Sequence, residues 1–353
     1  MKTIKYYFKQ SIDYFQIEYF RRFVYKRDKF IISEHSLPKL SKKEWETIKQ
    51  VWPCFKLKEK DLVYMKLYKK EYSFDPYFIC DYPLYLILKK TNPANQVVAL
   101  QHKGLIDVWF PKINFPTIYI RSIAGIIYDE QMNIINLSDA IQKIISTESF
   151  IIKPTIETAG GKGVKKIFSK NITDEELKKI ILSYKKDFVI QEVIKQREEI
   201  EALNPTSLNT CRVTSIYING KWDCSTMLKV GKKNADKDNW SSSYLIGVNE
   251  DGTLKECGYD NKLRKVYKTD LGDEFKGLKL PMYEDMLSFV KEKHIEYFPH
   301  CGIIGWDILI DENDEIRVIE INLDFPGVLG EQMVSGTFFK NFRDDIIELN
   351  PNN

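Results

Sequence analysis

No stretch of this 353-residue chain approaches the ~18 consecutive apolar residues that a membrane-spanning helix needs, and its first residues lack the continuous apolar core of a signal peptide. Cytoplasmic residence is therefore expected. The six cysteines are scattered without a CxxC pair, and the four histidines are dispersed. That spacing argues against a zinc site and against a disulfide framework. The formal net charge of +3 is small for the length, so nucleic acid is not an expected partner. No Ser/His/Asp or Cys/His set stands out, and no GxxxxGK[ST] phosphate loop occurs.

What is present is ordinary for a globular chain, with 43% hydrophobic and 29% charged residues, long enough for two or three subdomains. The most informative stretch runs from Ile303 to Phe325. Two runs rich in Ile, Val and Leu flank the turn-forming segment Asp311 to Asp314, which reads as a β-hairpin. With the loop centred between Asn313 and Asp314, Ile310 faces Arg317, Ile308 faces Ile319 and Asp307 faces Glu320. Asn322 shares Glu320's face because strand side chains alternate. Two opposed carboxylates repel unless something positive lies between them. With an amide oxygen beside them they make the oxygen ligand set that suits Mg²⁺. The bland alternative is a solvated acidic face, or pairing of one carboxylate with Arg or Lys.

A second stretch is FIIKPTIETAGGKGVKKIF, residues 150–168. A strand beginning at Phe150 leads to Lys153, and a loop holding Gly160, Gly161, Lys162 and Gly163 follows before a strand resumes at Val164. Glycines let backbone N–H groups approach anionic oxygens, so phosphate is the natural guest. A glycine-rich hairpin without function is the alternative. A capping box at Thr173 to Glu176, with Ile172 and Leu177 as a staple, then opens a helix, and residues 188–194 form a strand ending in Gln191 and Glu192. Strand, glycine loop, strand, helix, strand is a unit able to cover a nucleotide.

Elsewhere, residues 1–30 read as an aromatic, basic helix. Packing on the protein's own core is the favoured reading, because Asp13 and Glu18 interrupt the basic face. Contact with an anionic membrane surface, peripheral at its inner face, is the alternative. Ser41 to Glu44 forms a capping box for a helix that stops near Pro53. VVAL at 97–100, residues 115–120 and residues 125–130 look like strands and turns, followed by a helix capped at Ser138. Asn209 and Arg212 head a hairpin strand that turns at Asn219 and Gly220. The return strand carries Lys229 inside an otherwise apolar run, and since a lysine is costly to bury unpaired it is either exposed at an edge or meets a phosphate. A polar loop with Asp238 and Asn239 and a helix from Pro281 complete the approach to the acidic hairpin.

The order Lys153, glycine loop, Glu192, Arg212, Lys229, Asp307, Glu320, Asn322 resembles the ATP-grasp superfamily. The likeness is to its sugar-transfer associated branch, over about residues 97–335. The matching phrases are IIKP with GGKGV, QEVI, LNTCRV, MLKVG, GWDILI and IEIN. The loop sequence DNWSSSYLIG departs from that branch, so the acceptor is the feature least specified.

The resemblance implies an α/β (α+β) ATP-grasp fold in which two α/β subdomains clasp ATP. Its expected divisions are a helical region 1–95, a small α/β unit 96–149, a lid 150–195 and a C-terminal subdomain 196–353. It implies that Lys153 reaches the α- and β-phosphates under a loop of Gly160, Gly161, Lys162 and Gly163. Gln191, Glu192, Val193 and Ile194 would read adenine, and Glu199 the ribose. Lys229 is implied for the γ-phosphate, Arg212 for an acyl phosphate, and Lys103 as a further nucleotide contact. Asp307, Glu320 and Asn322 are implied as ligands of Mg²⁺, two ions being expected. The activity implied is an ATP-dependent carboxylate–amine ligase acting on a small-molecule or sugar-linked substrate in surface-polysaccharide biosynthesis. The alternatives are a kinase on the same scaffold and a non-catalytic ATP-binding or membrane-associated scaffold.

Overall fold

The computed structural model describes residues 2–155, 163–233, 235 and 242–349, with side chains from Tyr14 onward. Gly160, Gly161, Lys162, Asp238 and Asn239, and the side chain of Asp13, lie outside the described residues. The chain opens with helices α1 (Lys2–Glu34), α2 (Lys42–Val51), α3 (Val63–Glu71), α4 (Asp81–Thr91), α5 (Ala94–Leu100) and α6 (Ile106–Trp109). Among the described residues no helix is long and apolar enough to cross a membrane.

Strands β1 (Ile118–Ile123) and β2 (Ile126–Asp129) follow, then α7 (Leu137–Ile145), β3 (Ser149–Pro154), β4 (Lys165–Phe168), α8 (Asp174–Ser183) and β5 (Phe188–Glu192). The strands form an antiparallel sheet in the order β2-β1-β5-β3-β4. One face packs on α7 and α8 through Ile120, Phe150, Ile152, Leu177 and Ile190, all fully buried. The division expected at residue 149/150 falls inside this sheet, because β1 pairs with β5.

After α9 (Glu198–Glu201) come β6 (Thr210–Ile218), β7 (Lys221–Gly231), β8 (Ser243–Val248), β9 (Leu254–Tyr259) and β10 (Lys265–Val266). Helix α10 (Tyr283–Tyr297), β11 (Ile303–Ile310), β12 (Ile316–Asn322), α11 (Leu329–Ser335) and α12 (Arg343–Leu349) complete the chain. The second antiparallel sheet has the order β10-β9-β8-β7-β6-β11-β12. Helix α10 covers one face through Met286, Val290 and Phe298. The other face shares its cores with the N-terminal helices, Met227 and Leu245 meeting Leu62 and Met65, and Ile216 and Ile303 meeting Trp52 and Leu84. Residues 1–95, expected as a region of their own, are therefore built into the large sheet's core.

Several local expectations change. VVAL at 97–100 lies in helix α5 rather than a strand, with Val97 buried and Leu100, three residues on, packed beside it, the spacing of a helix face. Helix α7 is capped by Asn136, whose side chain accepts from the Asp139 N–H, rather than by Ser138. Ser41 and Thr173 do form capping boxes with Glu44 and Glu176.

A candidate active site between the two sheets

The acidic hairpin sits at the edge of the large sheet, with β11 flanked by β6 and β12. Asp307 is paired with Glu320 across one ladder and with Arg212 across the other. The intermediate register is not the expected one. Ile310 pairs with Ile316, Leu309 with Arg317 and Ile308 with Val318, and a bulge between Asp307 and Ile308 leaves Ile319 without a ladder partner. The tighter turn displaces the ladder by one residue and the bulge restores it. Asp307 and Glu320 thus face each other through two compensating departures from a plain hairpin.

Buried Asp307 is tied down by cations. Arg212 donates to it through Nε at 2.8 Å and Nη2 at 2.9 Å, and the Lys229 ammonium lies 2.9 Å from Oδ1. Burial raises the cost of its charge, yet the Arg212 and Lys229 charges and hydrogen bonds outweigh that and hold the carboxyl well below the usual carboxylate range. Arg212 also donates through Nη1 to the Pro326 carbonyl at 2.6 Å. Space for that guanidinium comes from Gly305. A Cβ there would stand 3.1 Å from Arg212 Nη1 and 3.1 Å from Pro326 Cβ.

Asn322 places its amide nitrogen 3.3 Å from Asp307 Oδ2, and Lys103 Nζ lies 2.8 Å from Glu320 Oε1. Asn92 holds the frame behind them. Its Nδ2 donates to the carbonyls of Ile303 and Leu323, both at 2.8 Å, and its Oδ1 accepts from the Gly302 and Ile303 N–H groups.

The small sheet contributes the other wall. Ile151 pairs with Gln191, and Lys153, two residues on, therefore shares Gln191's face. A cleft between the sheets is lined by Lys103, Lys153, Gln191, Ile319, Glu320 and Ile321, among others. Burial pulls the Lys153 amine down to about 8, with the Glu320 carboxylate opposing and the Lys103 charge adding to the shift. Lys103 and Lys153 with Glu320 at this cleft, and Arg212 and Lys229 with Asp307 across the hairpin from it, each pair two cations with one carboxylate, an excess that suits a polyanion.

Gly163, the one described residue of the glycine loop, has φ +75°, and its carbonyl accepts from the Tyr184 hydroxyl at 2.5 Å. Glu192 turns its side chain away from the cleft, accepting from the Thr117 N–H at 2.7 Å and from Arg317, while its own N–H donates to the Thr117 carbonyl. The β5 ladder ends there, and Val193 and Ile194 lie beyond it. A second cleft is lined by Ile151, Val164, Val193, Ile194, Gln196 and Glu201, among others. Glu199 is not brought to either cleft. It is exposed and pairs with Arg197, which also binds Asp314 at the hairpin turn. Glu201, one helical half-turn on, is the carboxylate that reaches the cleft wall.

Sequence reading also passed over Gln101, Arg317 and Glu331. Gln101 Oε1 accepts from the Leu323 N–H at 3.1 Å, and Arg317 joins Glu192 to Asp311. Buried Glu331 accepts from the Thr214 N–H at 3.2 Å, and burial pushes its carboxyl up to about 8. No local motif marks these residues, because Gln101, Arg317 and Glu331 reach Leu323, Glu192 and Thr214, all more than a hundred residues away in the chain.

Among the described residues no group of three or more His, Cys, Asp or Glu side chains gathers as a metal site. The two carboxylates and one amide of Asp307, Glu320 and Asn322 nonetheless fit Mg²⁺ in donor chemistry, since all three can present oxygen and the amide's two ends exchange by a simple flip.

The chain resembles several solved structures at low identity. D-alanyl-alanine synthetase A from Vibrio cholerae O1 biovar eltor matches at 11% identity and TM-score 0.44, over 72% of this chain and 66% of that one. D-alanine–D-alanine ligase from Helicobacter pylori matches at 14% and 0.41, over 76% and 66%. D-cycloserine synthetase DcsG matches at 11% and 0.45, over 74% and 73%. The chain thus spans just under two thirds of the length of the first two enzymes. No curated protein sequence matches it. The family described as sugar-transfer associated ATP-grasp matches residues 87–346, from the end of α4 through both sheets into α12, and the chain belongs to that family.

Proposed function

We propose that this protein is an ATP-dependent carboxylate–amine ligase that joins an amino acid or similar acid to an amino sugar or sugar precursor in surface-polysaccharide assembly. The observation that carries the reading is a run of charge that starts at the cleft between the sheets, where Lys103 and Lys153 flank Glu320, and continues across the hairpin to Asp307, which holds Arg212 and Lys229. Transfer of a γ-phosphoryl group to a carboxylate crowds anionic oxygens, and catalysis is mainly positioning and charge neutralisation. The sugar connection rests on the family's description.

Lys153 would hold phosphate oxygens from the lid side and Lys229 from the large sheet. Lys153 gains from exchanging its buried setting for a phosphate, because its amine is costly to charge where it is. Arg212, fixed by Asp307 and Pro326, would present its remaining N–H donors to the acid substrate. Asp307, Glu320 and Asn322 would hold Mg²⁺, which supplies charge neutralisation at the phosphates when bound. A carboxylate oxygen of the acid attacks the γ-phosphorus as the bond to the bridging oxygen of ADP breaks. The amine then attacks the acyl carbon, phosphate leaves with the bonding pair, and the nitrogen loses a proton, giving an amide.

Incubation with pooled amino acids, amino sugars and nucleotide sugars, with Mg-ATP, and mass spectrometry of the products tests this. ADP and phosphate should form only when acid and amine are both present, with a product lighter by one water than its two precursors. A phosphorylated sugar instead would make the protein a kinase, and no turnover with any pool would leave it a binding scaffold.

A further inference from the structure

We propose that the outer face of helix α1 docks the protein on an anionic phospholipid surface. In the sequence, Glu18 stands among the basic residues of this helix. In the structure its carboxylate turns to Arg21, which donates to it at 3.2 Å, and lies 3.9 Å from the Lys58 ammonium. Asp28 is 5% exposed and accepts from Arg27. Arg21 itself is buried, bound to Asp61 and to the Lys56 carbonyl. The inward side of the helix is completed by Val24 and Ile31, and by Phe20, which stacks on Tyr85 at 4.2 Å and meets Phe325 at 5.6 Å.

The side turned outward is different in kind. At 3.6 residues per turn, Phe15, Tyr19, Phe23 and Phe30 fall with Arg22, Lys26 and Lys29 within roughly a third of the circumference. Lys29 and Arg22 lie at one margin of that arc and Phe30 and Phe23 at the other, with Phe15, Lys26 and Tyr19 alternating between them. Phe15 is 70% exposed, Tyr19 75% and Phe23 55%, values at which rings of this size have no packing partner over most of their surface. Arg22, Lys26 and Lys29 are exposed as well. Exposed Lys58 and half-buried Lys60, from the segment beside α1, border the face, with Lys60 5.7 Å from the Tyr25 ring and the intervening Glu59 paired with Lys66.

Rings that sink to the acyl boundary beside ammonium and guanidinium groups that stay at the phosphates are what an interfacial helix requires. The charge selects the occupant. A face whose exposed charges from Phe15 to Phe30 are all positive complements anionic headgroups, and it repels a second copy of itself when the two are placed face to face. Because α1 is anchored through Arg21, Phe20, Val24 and Ile31, the face needs no folding on binding. The proposal is independent of the chemistry at the cleft between the sheets.

The test is flotation of the full chain with phosphatidylcholine vesicles, with or without about a third of phosphatidylglycerol, at low and at high salt. Partition onto the anionic vesicles should exceed that onto neutral ones by at least about tenfold, and should fall as salt rises. The triple variant R22E/K26E/K29E should fall to the neutral-vesicle level, and F15S/F23S should lose about tenfold, with unchanged melting temperature in both. Equal binding to both vesicle types, or wild-type partition by the charge variant, overturns the proposal. So does a dimer in sedimentation velocity that the same substitutions dissociate without any vesicle binding, which would assign the face to a second copy of the chain.

Discussion

The two sheets hold their buried cations in opposite ways. The large sheet presents its cations already paired, with Arg212 and Lys229 gathered on buried Asp307, so the charges are held in place by one another. The small sheet presents Lys153 in a setting where burial lowers the amine to about 8. A prebuilt ion cluster is costly to dismantle but also costly to leave half-made, whereas a desolvated amine sits at a free-energy disadvantage that a phosphate removes. The large sheet's charges are thus part of the fold, and the small sheet's lysine is the one that would gain by meeting an anion.

The sharpest way to break the comparison is Asp307→Ala. It leaves Arg212 and Lys229 without their common carboxylate and should cost about 3–5 kcal/mol of stability, read as a lowered denaturant midpoint, together with loss of turnover. If the midpoint barely moves, the cluster is not structural. Lys153→Met should do the reverse, lowering kcat/KM for ATP by about 10²–10³ while the melting temperature holds or rises, since a costly buried amine has gone. A destabilised Lys153→Met protein would mean that the small sheet also depends on its charge.

Glu331 sharpens the picture within the large sheet. Its carboxyl lies at about 8 in the fold against a model-compound 4.5, chiefly through burial. Its contribution to stability is fully present below about pH 4.5, where both states are protonated, and is lost as pH rises towards 8 because the unfolded chain ionises first. Glu331→Gln keeps an oxygen for the Thr214 N–H and should flatten the decline in melting temperature between those values. An unchanged pH profile would show that Glu331 is ionised in the fold. The smallest effect belongs to Glu199→Ala. With Glu199 exposed and bound to Arg197, the KM for ATP should stay within about twofold of wild type, as expected for a surface ion pair. A tenfold rise would return Glu199 to the nucleotide site.

The sequence was most legible where a structural reason acts over a few residues. The capping boxes at Ser41 and Thr173 involve groups three residues apart, and both form. The turn at Asn219 and Gly220, with φ of 51° and 78°, joins β6 to β7 where the dipeptide predicts it. The Asp307–Glu320 pairing was reached through a plain hairpin, although the chain reaches it by a tighter turn and a bulge at Ile319. Alternation along each strand conveys which residues share a face, but not where an extra residue is absorbed. Likewise, the acidic residues of α1 seemed to break a basic face until the structure turned Glu18 towards Arg21 and Lys58.

By itself the sequence determined the family, the capping boxes and the strands that carry Arg212, Lys229, Asp307 and Glu320, because alternation, capping and motif order are written in neighbouring residues. Only the tertiary structure decided that Arg212 and Lys229 share Asp307, that Glu192 braces Thr117 and Arg317 while Glu199 stays outside, and that Glu18 turns to Arg21 while Asp28 is buried. Those outcomes depend on partners up to 125 residues apart, as between Glu192 and Arg317, and burial selects among such pairings only once the sheets have assembled.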